Sequence, residues 1–309
     1  VDPVDLSGPW THRRVAANGA RFHVALSEPA GDPLGEAPLV VLLHGFPQLW
    51  WAWRHQLPAL AAAGYRTAAL DLRGYGGSDK TPNGYDPQTL AADVDGVIGA
   101  LGASRATLVG HGWGGYVAWA TALQHPEQVA GLAALAAPHP ATLMRRLRTR
   151  GGRRALRHLL RMQVPVVPER RLADPASGML AEHLLAWSGT TFPSPEELSA
   201  YQSAFSVWPS AHCALEYHRW LLRSRLRADG RAFSAAMRAE VAVPVLEVYG
   251  GRDPVVTPPR RPRTPAGVTG AYDVRTVPAS GHFLPEEAPA EVTDLLLEWL
   301  GTLRHIPGC

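Results

Sequence analysis

Residues 109–115 read Val-Gly-His-Gly-Trp-Gly-Gly, and no other run in the chain restricts its folding so tightly. An apolar strand, 106–109, ends here and a helical pattern, 114–124, begins within a few residues. Gly110 and Gly114 are the residues that let a strand and a helix approach that closely across a strained turn. A turn of this shape lifts one side chain, a Ser, Cys or Asp, above the end of a sheet. The raised position here is Gly112, which has no side chain.

The rest of the chain repeats the strand–helix theme. Apolar or alternating runs at 21–26, 39–43, 66–70, 106–109, 129–135, 243–249 and 271–277 read as strands. Between them, 53–63, 86–101, 114–124 and 290–303 carry helical patterns, the second opened by Asp86-Pro87. Alternation of this kind predicts right-handed crossovers, a mostly parallel central sheet flanked by helices, and so an α/β fold. Ligands on such sheets sit at the carboxyl ends of the strands. His44, Asp71 and Gly112 all follow strand ends and are predicted to share one rim. From about residue 140 to 238 the alternation gives way to a block rich in Arg, Leu, Trp and Pro that reads as several helices. The predicted organisation is a core from 1–139, a helical cap from 140–238 and a second core segment from 239–309.

Composition narrows the function classes. With 46% hydrophobic and 18% charged residues, the chain can bury a substantial core and is not a disordered one. No apolar run approaches the roughly 18 residues of a membrane span, and the first residues carry no basic-then-apolar leader pattern. Cys213 and Cys309 are far apart and form neither a disulfide framework nor a metal spacing, so a reduced, cytoplasmic setting is expected. A net charge of +3 is too small to point to nucleic acid. Arg145, Arg146, Arg148, Arg150, Arg153, Arg154, Arg157 and Arg161 crowd one stretch. They read as a solvated helical face, or alternatively as a weak contact for an anionic surface. No cofactor pattern is present, and His44, His111 and His282 match no metal spacing.

Two later segments complete a constellation with the elbow. Gly250-Gly251-Arg252-Asp253-Pro254 follows a strand and offers an acid. Ala279-Ser280-Gly281-His282-Phe283 follows the last strand and offers a base. Elbow, acid, histidine is the chain order of the α/β-hydrolase triad. The loop His44-Gly45-Phe46-Pro47 offers the Phe46 N–H beside the elbow, and Trp113 offers a second backbone donor. Trp50, Trp51 and Trp53 read equally well as a pocket wall and as core packing.

Taken together, His44-Gly45-Phe46-Pro47, the run Asp71-Leu72-Arg73-Gly74-Tyr75-Gly76-Gly77-Ser78-Asp79, the Gly-His-x-Trp-Gly-Gly elbow and Gly281-His282-Phe283 resemble the α/β-hydrolase-fold epoxide hydrolases over nearly the whole chain. The resemblance implies an Asp at position 112 that opens the epoxide to an alkyl-enzyme ester, and a His–acid pair that activates water to hydrolyse it. His282 and Asp253 match the last two roles, and Gly112 does not match the first. The resemblance also implies two cap tyrosines that hold the epoxide oxygen. His158 and His218 occupy those slots, with Tyr217 in the second if the register shifts by one residue.

Removing a nucleophile alone can lower kcat by about a millionfold. The expectation is therefore an epoxide-hydrolase-like pseudoenzyme, inactive or very weak as a covalent hydrolase. It would keep a capped pocket for a small apolar ligand and use no cofactor. One alternative is an active hydrolase or lyase that uses water activated by His282 and Asp253. Another is a docking module with a basic cap.

Overall fold

The computed structural model describes residues 4–32, 35–149 and 152–304. Arg150 and Cys309 lie outside the described residues. Strand β1 (Thr11–Ala17) forms a hairpin with β2 (Ala20–Ser27), and β3 (Leu39–Leu43) follows. Helix α1 (Gln56–Ala62), β4 (Arg66–Leu70), α2 (Pro87–Ala100), β5 (Ala106–His111), α3 (Trp113–Gln124) and β6 (Val129–Leu135) complete the first half. Among the described residues, seven helices come next: α4 (Pro140–Arg146), α5 (Arg153–Arg161), α6 (Val167–Ala173), α7 (Met179–Trp187), α8 (Pro195–Ser206), α9 (Ser210–Arg223) and α10 (Ala228–Ala236). The alternation then resumes with β7 (Val245–Gly250), β8 (Tyr272–Val277), α11 (Leu284–Glu287) and α12 (Pro289–Leu303).

Among the described residues, eight strands form one sheet in the order β1-β2-β4-β3-β5-β6-β7-β8. β1 and β2 run antiparallel to their neighbours, and β4 through β8 pair in parallel. Every residue of β3, β4 and β5 is buried, as expected of strands covered on both faces. Helix α1 packs with α12, and α2 with α3, so two helical layers flank the sheet. Asp86 caps α2 by accepting the Thr89 N–H at 2.9 Å, with Pro87 at the first helical position.

Two details depart from the sequence reading. The edge strand β1 has no counterpart there, because Thr11–Ala17 is mostly exposed and polar. It owes its conformation to pairing with β2. The helix expected over 53–63 is split into a 3-10 turn, Trp50–Trp53, and the short α1.

Candidate active site

The elbow is built by steric necessity. A Cβ on Gly114 would fall 2.2 Å from the Leu43 carbonyl oxygen, so only glycine allows α3 to pack so close to β3. Gly112 itself has φ 52° and ψ −116°, a left-handed conformation that strains any L-residue. Its N–H donates to the Leu135 carbonyl at 3.0 Å, and its own carbonyl accepts from Tyr116 N–H at 3.0 Å. A Cβ placed on Gly112 would meet nothing closer than 3.6 Å, where it would touch the Gly45 Cα and the His282 Nε2. The position is strained in its backbone but open in space, and it faces the histidine.

His282 and Asp253 come together as the chain order predicts, with Nδ1 2.8 Å from Oδ2. The other carboxylate oxygen of Asp253 accepts Val255 N–H at 2.7 Å and Val256 N–H at 2.8 Å. Burial works to raise the Asp253 pKa. The charge and hydrogen bond of His282 and the two backbone donors outweigh it, and the carboxyl titrates below its usual range. An ionised Asp253 fixes the proton of His282 on Nδ1 and leaves Nε2 as a base aimed at position 112.

Glu287, which the sequence reading missed, holds this histidine loop in place. Its carboxylate accepts the N–H groups of Gly281 and Phe283, both at 2.9 Å, and of Gly189 at 2.7 Å. The residues flanking His282 and the loop after α7 are thereby tied to one acceptor. Nothing local in the sequence marks that role, because all three donors are backbone groups.

A cavity of about 100 Å³ adjoins Gly112, Trp113 and His282. Its other walls include Phe46, Tyr116, Leu159, Trp187, His218 and Val256, so it is chiefly apolar. Trp113 is the first residue of α3, and its N–H therefore has no partner within the helix. Of the helical block, His158 on α5 and His218 on α9 both line the cavity. Tyr217 does not. One helical step, about 100°, turns it away from its neighbour, and its hydroxyl donates to the Arg73 carbonyl at 2.7 Å. The one-residue shift that would make Tyr217 ligand-facing is thus excluded by the geometry of α9. Trp50 and Trp53 are buried in the core, and the cavity walls contain neither them nor Trp51.

The other histidines around the rim are held by hydrogen bonds and ring packing. His44 Nε2 accepts from Leu72 N–H at 3.2 Å. His111 sits between the His282 carbonyl, 2.7 Å from Nε2, and the Gln48 side chain, 3.0 Å from Nδ1. His218 Nε2 accepts from the Trp113 indole at 3.1 Å, and its Nδ1 donates to the Ala214 carbonyl at 3.1 Å. His183, also absent from the sequence reading, packs its ring 4.1 Å from Trp187 and 4.9 Å from His158.

Burial pushes His111 and His218 down to about 3. A histidine whose folded pKa lies below its unfolded value binds fewer protons folded than unfolded, so its contribution to stability is lost as pH falls below 6.5. Each group should remove about 1 kcal/mol per pH unit of acidification. Urea denaturation at pH 7 and pH 5 should show this loss, and His218→Phe should flatten the slope.

Outside the cavity, Arg145, Arg148, Arg153, Arg154, Arg157 and Arg161 are exposed. Arg146 is half-buried and donates to the Thr257 carbonyl at 2.8 Å. No helix among the described residues is long and apolar enough to cross a membrane.

A mostly parallel sheet with a glycine-framed elbow, an acid after β7 and a histidine after β8 defines a protein class. The chain belongs to the alpha/beta hydrolase fold family, whose model matches residues 38–289. Within it the protein is epoxide-hydrolase-like. It is 35% identical to epoxide hydrolase A of Mycobacterium tuberculosis, over 96% of this chain and 99% of that protein. It is 32% identical to epoxide hydrolase 3 of Xenopus tropicalis, over 95% of this chain and 78% of that one. Among solved structures, epoxide hydrolase A of Mycobacterium thermoresistibile superimposes with a TM-score of 0.78 at 28% identity, covering 94% of this chain and 98% of its own. An epoxide hydrolase from an endophytic Streptomyces gives 0.74 at 29%, covering 96% and 97%.

Proposed function

We propose that this protein binds a small apolar molecule in the cavity beside Gly112 and does not hydrolyse it through a covalent intermediate. The helical block from α4 to α10 acts as the cap over that cavity. The observation that carries the reading is the bare Gly112 facing His282. A Cβ there would lie 3.6 Å from His282 Nε2, yet no side-chain atom is present to attack a substrate. Covalent ester formation at position 112 therefore has no chemical route.

The intact His282–Asp253 pair, at 2.8 Å, favours a second, slower activity. A water bound at His282 Nε2 could be deprotonated as it attacks an epoxide or ester held in the cavity. The N–H groups of Phe46 and Trp113 would face the developing negative charge. Donors and binding without a nucleophile leave about 10³ to 10⁴ over the reaction in water. A panel of small aryl and alkyl epoxides separates the two readings. Turnover in the wild type that disappears in His282→Gln would overturn the binding-only reading. Saturable quenching of tryptophan fluorescence without turnover supports it. Ala155→Trp fills the cavity from α5 and should weaken that binding about tenfold or more.

A further inference from the structure

The β1–β2 hairpin carries a cluster of side chains that the cavity does not use. Arg14 faces His23 directly in the hairpin register, and His12 faces Ala25. His12 and His23 are therefore diagonal neighbours on one face. Their rings stack with centroids 5.1 Å apart and 24° between planes, and His12 Nδ1 lies 2.9 Å from His23 Nε2. Asp5 Oδ1 lies 3.4 Å from His23 Nε2 and 4.0 Å from His12 Nδ1.

The far nitrogen of each ring is already committed as a donor. His12 Nε2 lies 3.0 Å from the Leu6 carbonyl, which can only accept. His23 Nδ1 lies 2.7 Å from Asp71 Oδ2, on a carboxylate that also accepts Trp50 N–H and Gly77 N–H. In the neutral tautomers that satisfy these bonds, the two facing nitrogens both present lone pairs. Two lone pairs at 2.9 Å with a carboxylate oxygen beside them repel unless a proton or a metal ion lies between them. The separations of 2.9, 3.4 and 4.0 Å form a triangle whose corners lie about 2 Å from a common centre, the length of a zinc–nitrogen or zinc–oxygen bond.

We propose that His12 Nδ1, His23 Nε2 and Asp5 Oδ1 bind a divalent transition-metal ion of the zinc class, with water as a further ligand. Two imidazoles and one carboxylate suit such an ion and not magnesium or calcium, which take oxygen ligands. Asp71 behind His23 and the Leu6 carbonyl behind His12 supply the outer hydrogen bonds that orient metal-binding histidines. The side chains of His12 and Asp5 are 22% and 33% exposed while His23 is fully buried, so the ion enters from solvent against a fixed inner ligand. Arg14 Nη2 lies 3.1 Å from the same Asp5 oxygen and shares that carboxylate with the ion. Sequence spacing does not raise this site, because the hairpin register brings the ligands together. The ion would pin the segment before β1 to the sheet.

The test is titration of chelator-treated protein with Co²⁺ and Zn²⁺ at neutral pH. One equivalent of Co²⁺ should give the visible absorption of a low-coordinate nitrogen–oxygen site. Zn²⁺ should displace it and raise the melting temperature, and Mg²⁺ should do neither. His12→Ala and Asp5→Asn alter partly exposed side chains and should keep the fold, checked by circular dichroism, while weakening binding about ten- to a hundredfold. Arg14→Ala should tighten binding severalfold. Absence of a cobalt band in the folded wild type, the result expected if the two rings share a proton instead, overturns the proposal. So does binding that is unchanged in His12→Ala, which would place the ion on other histidines.

Discussion

Gly112→Asp should raise epoxide opening by about 10² to 10⁴ over the wild-type protein and leave an alkyl-enzyme ester detectable as a mass increase. A nucleophile of this kind is worth about a millionfold, or about 8 kcal/mol of barrier. The variant should not recover all of it, because the wall opposite lacks a good proton donor. His218 uses both ring nitrogens, accepting from the Trp113 indole and donating to Ala214. His158 is held neutral by burial, reinforced by its neighbours His183, His218 and His282. A missing general acid accounts for about 10² to 10⁴, and the remainder of the nucleophile's contribution is the gain expected. Space is no obstacle, with 3.6 Å free around the new Cβ. The φ of 52° at this position should cost the variant about 1–3 kcal/mol of stability. Adding His218→Tyr or His158→Tyr to Gly112→Asp should raise turnover further, and adding His282→Gln should trap the ester. If Gly112→Asp yields no adduct with a reactive aryl epoxide, position 112 does not face the substrate and the proposed site is wrong.

The elbow was readable in the sequence because its glycines obey local steric rules. Gly114 has no alternative with Leu43 at 2.2 Å, and such a demand shows in one short run. The parallel strands were readable for a related reason, since burial on both faces leaves continuous apolar runs such as Leu39–Leu43. β1 escaped because its order comes from a partner 3 residues away across a turn at Asn18 and Gly19, not from its own pattern. Glu287 escaped because it acts on backbone N–H groups brought together only by the fold. Choosing between Tyr217 and His218 needed the rotation of α9, since adjacent helical residues point about 100° apart and a sequence comparison can slip by one. The histidine–aspartate cluster of the hairpin depends on a diagonal cross-strand relation, which composition and spacing do not display.

Asp71→Ala should destabilise the protein by about 3–5 kcal/mol, a large share of the roughly 5–15 kcal/mol that holds a domain folded. Asp71 is fully buried. Its Oδ1 accepts Trp50 N–H at 2.8 Å, and its Oδ2 accepts Gly77 N–H at 2.9 Å and His23 Nδ1 at 2.7 Å. Its own N–H donates to the His23 carbonyl, and its carbonyl accepts the Ser78 hydroxyl at 2.6 Å. The loops after β3 and β4 and the strand β2 are thus knotted at one carboxylate. Removing it leaves two buried donors and one partly buried donor unpaired, each buried one costing about 1–3 kcal/mol before relaxation. Burial tends to raise the Asp71 pKa, but the hydrogen bond from His23 and the Trp50 N–H bring it below the usual value of 3.8. An acid lowered in this way stabilises the fold above pH 3.8, and that stabilisation is lost as pH falls through the folded pKa. The Asp71→Ala deficit should accordingly be full at pH 7 and shrink on acidification, as read from urea midpoints at pH 7 and pH 3. A melting temperature lowered by roughly 10 °C at neutral pH is the matching thermal result. The same geometry explains why Asp71 cannot stand in for the missing nucleophile. Both of its oxygens are occupied by donors from the protein, and it does not line the cavity. Ligand binding in the folded fraction of Asp71→Ala should therefore persist, which separates a knot that holds the rim from a group that acts within it.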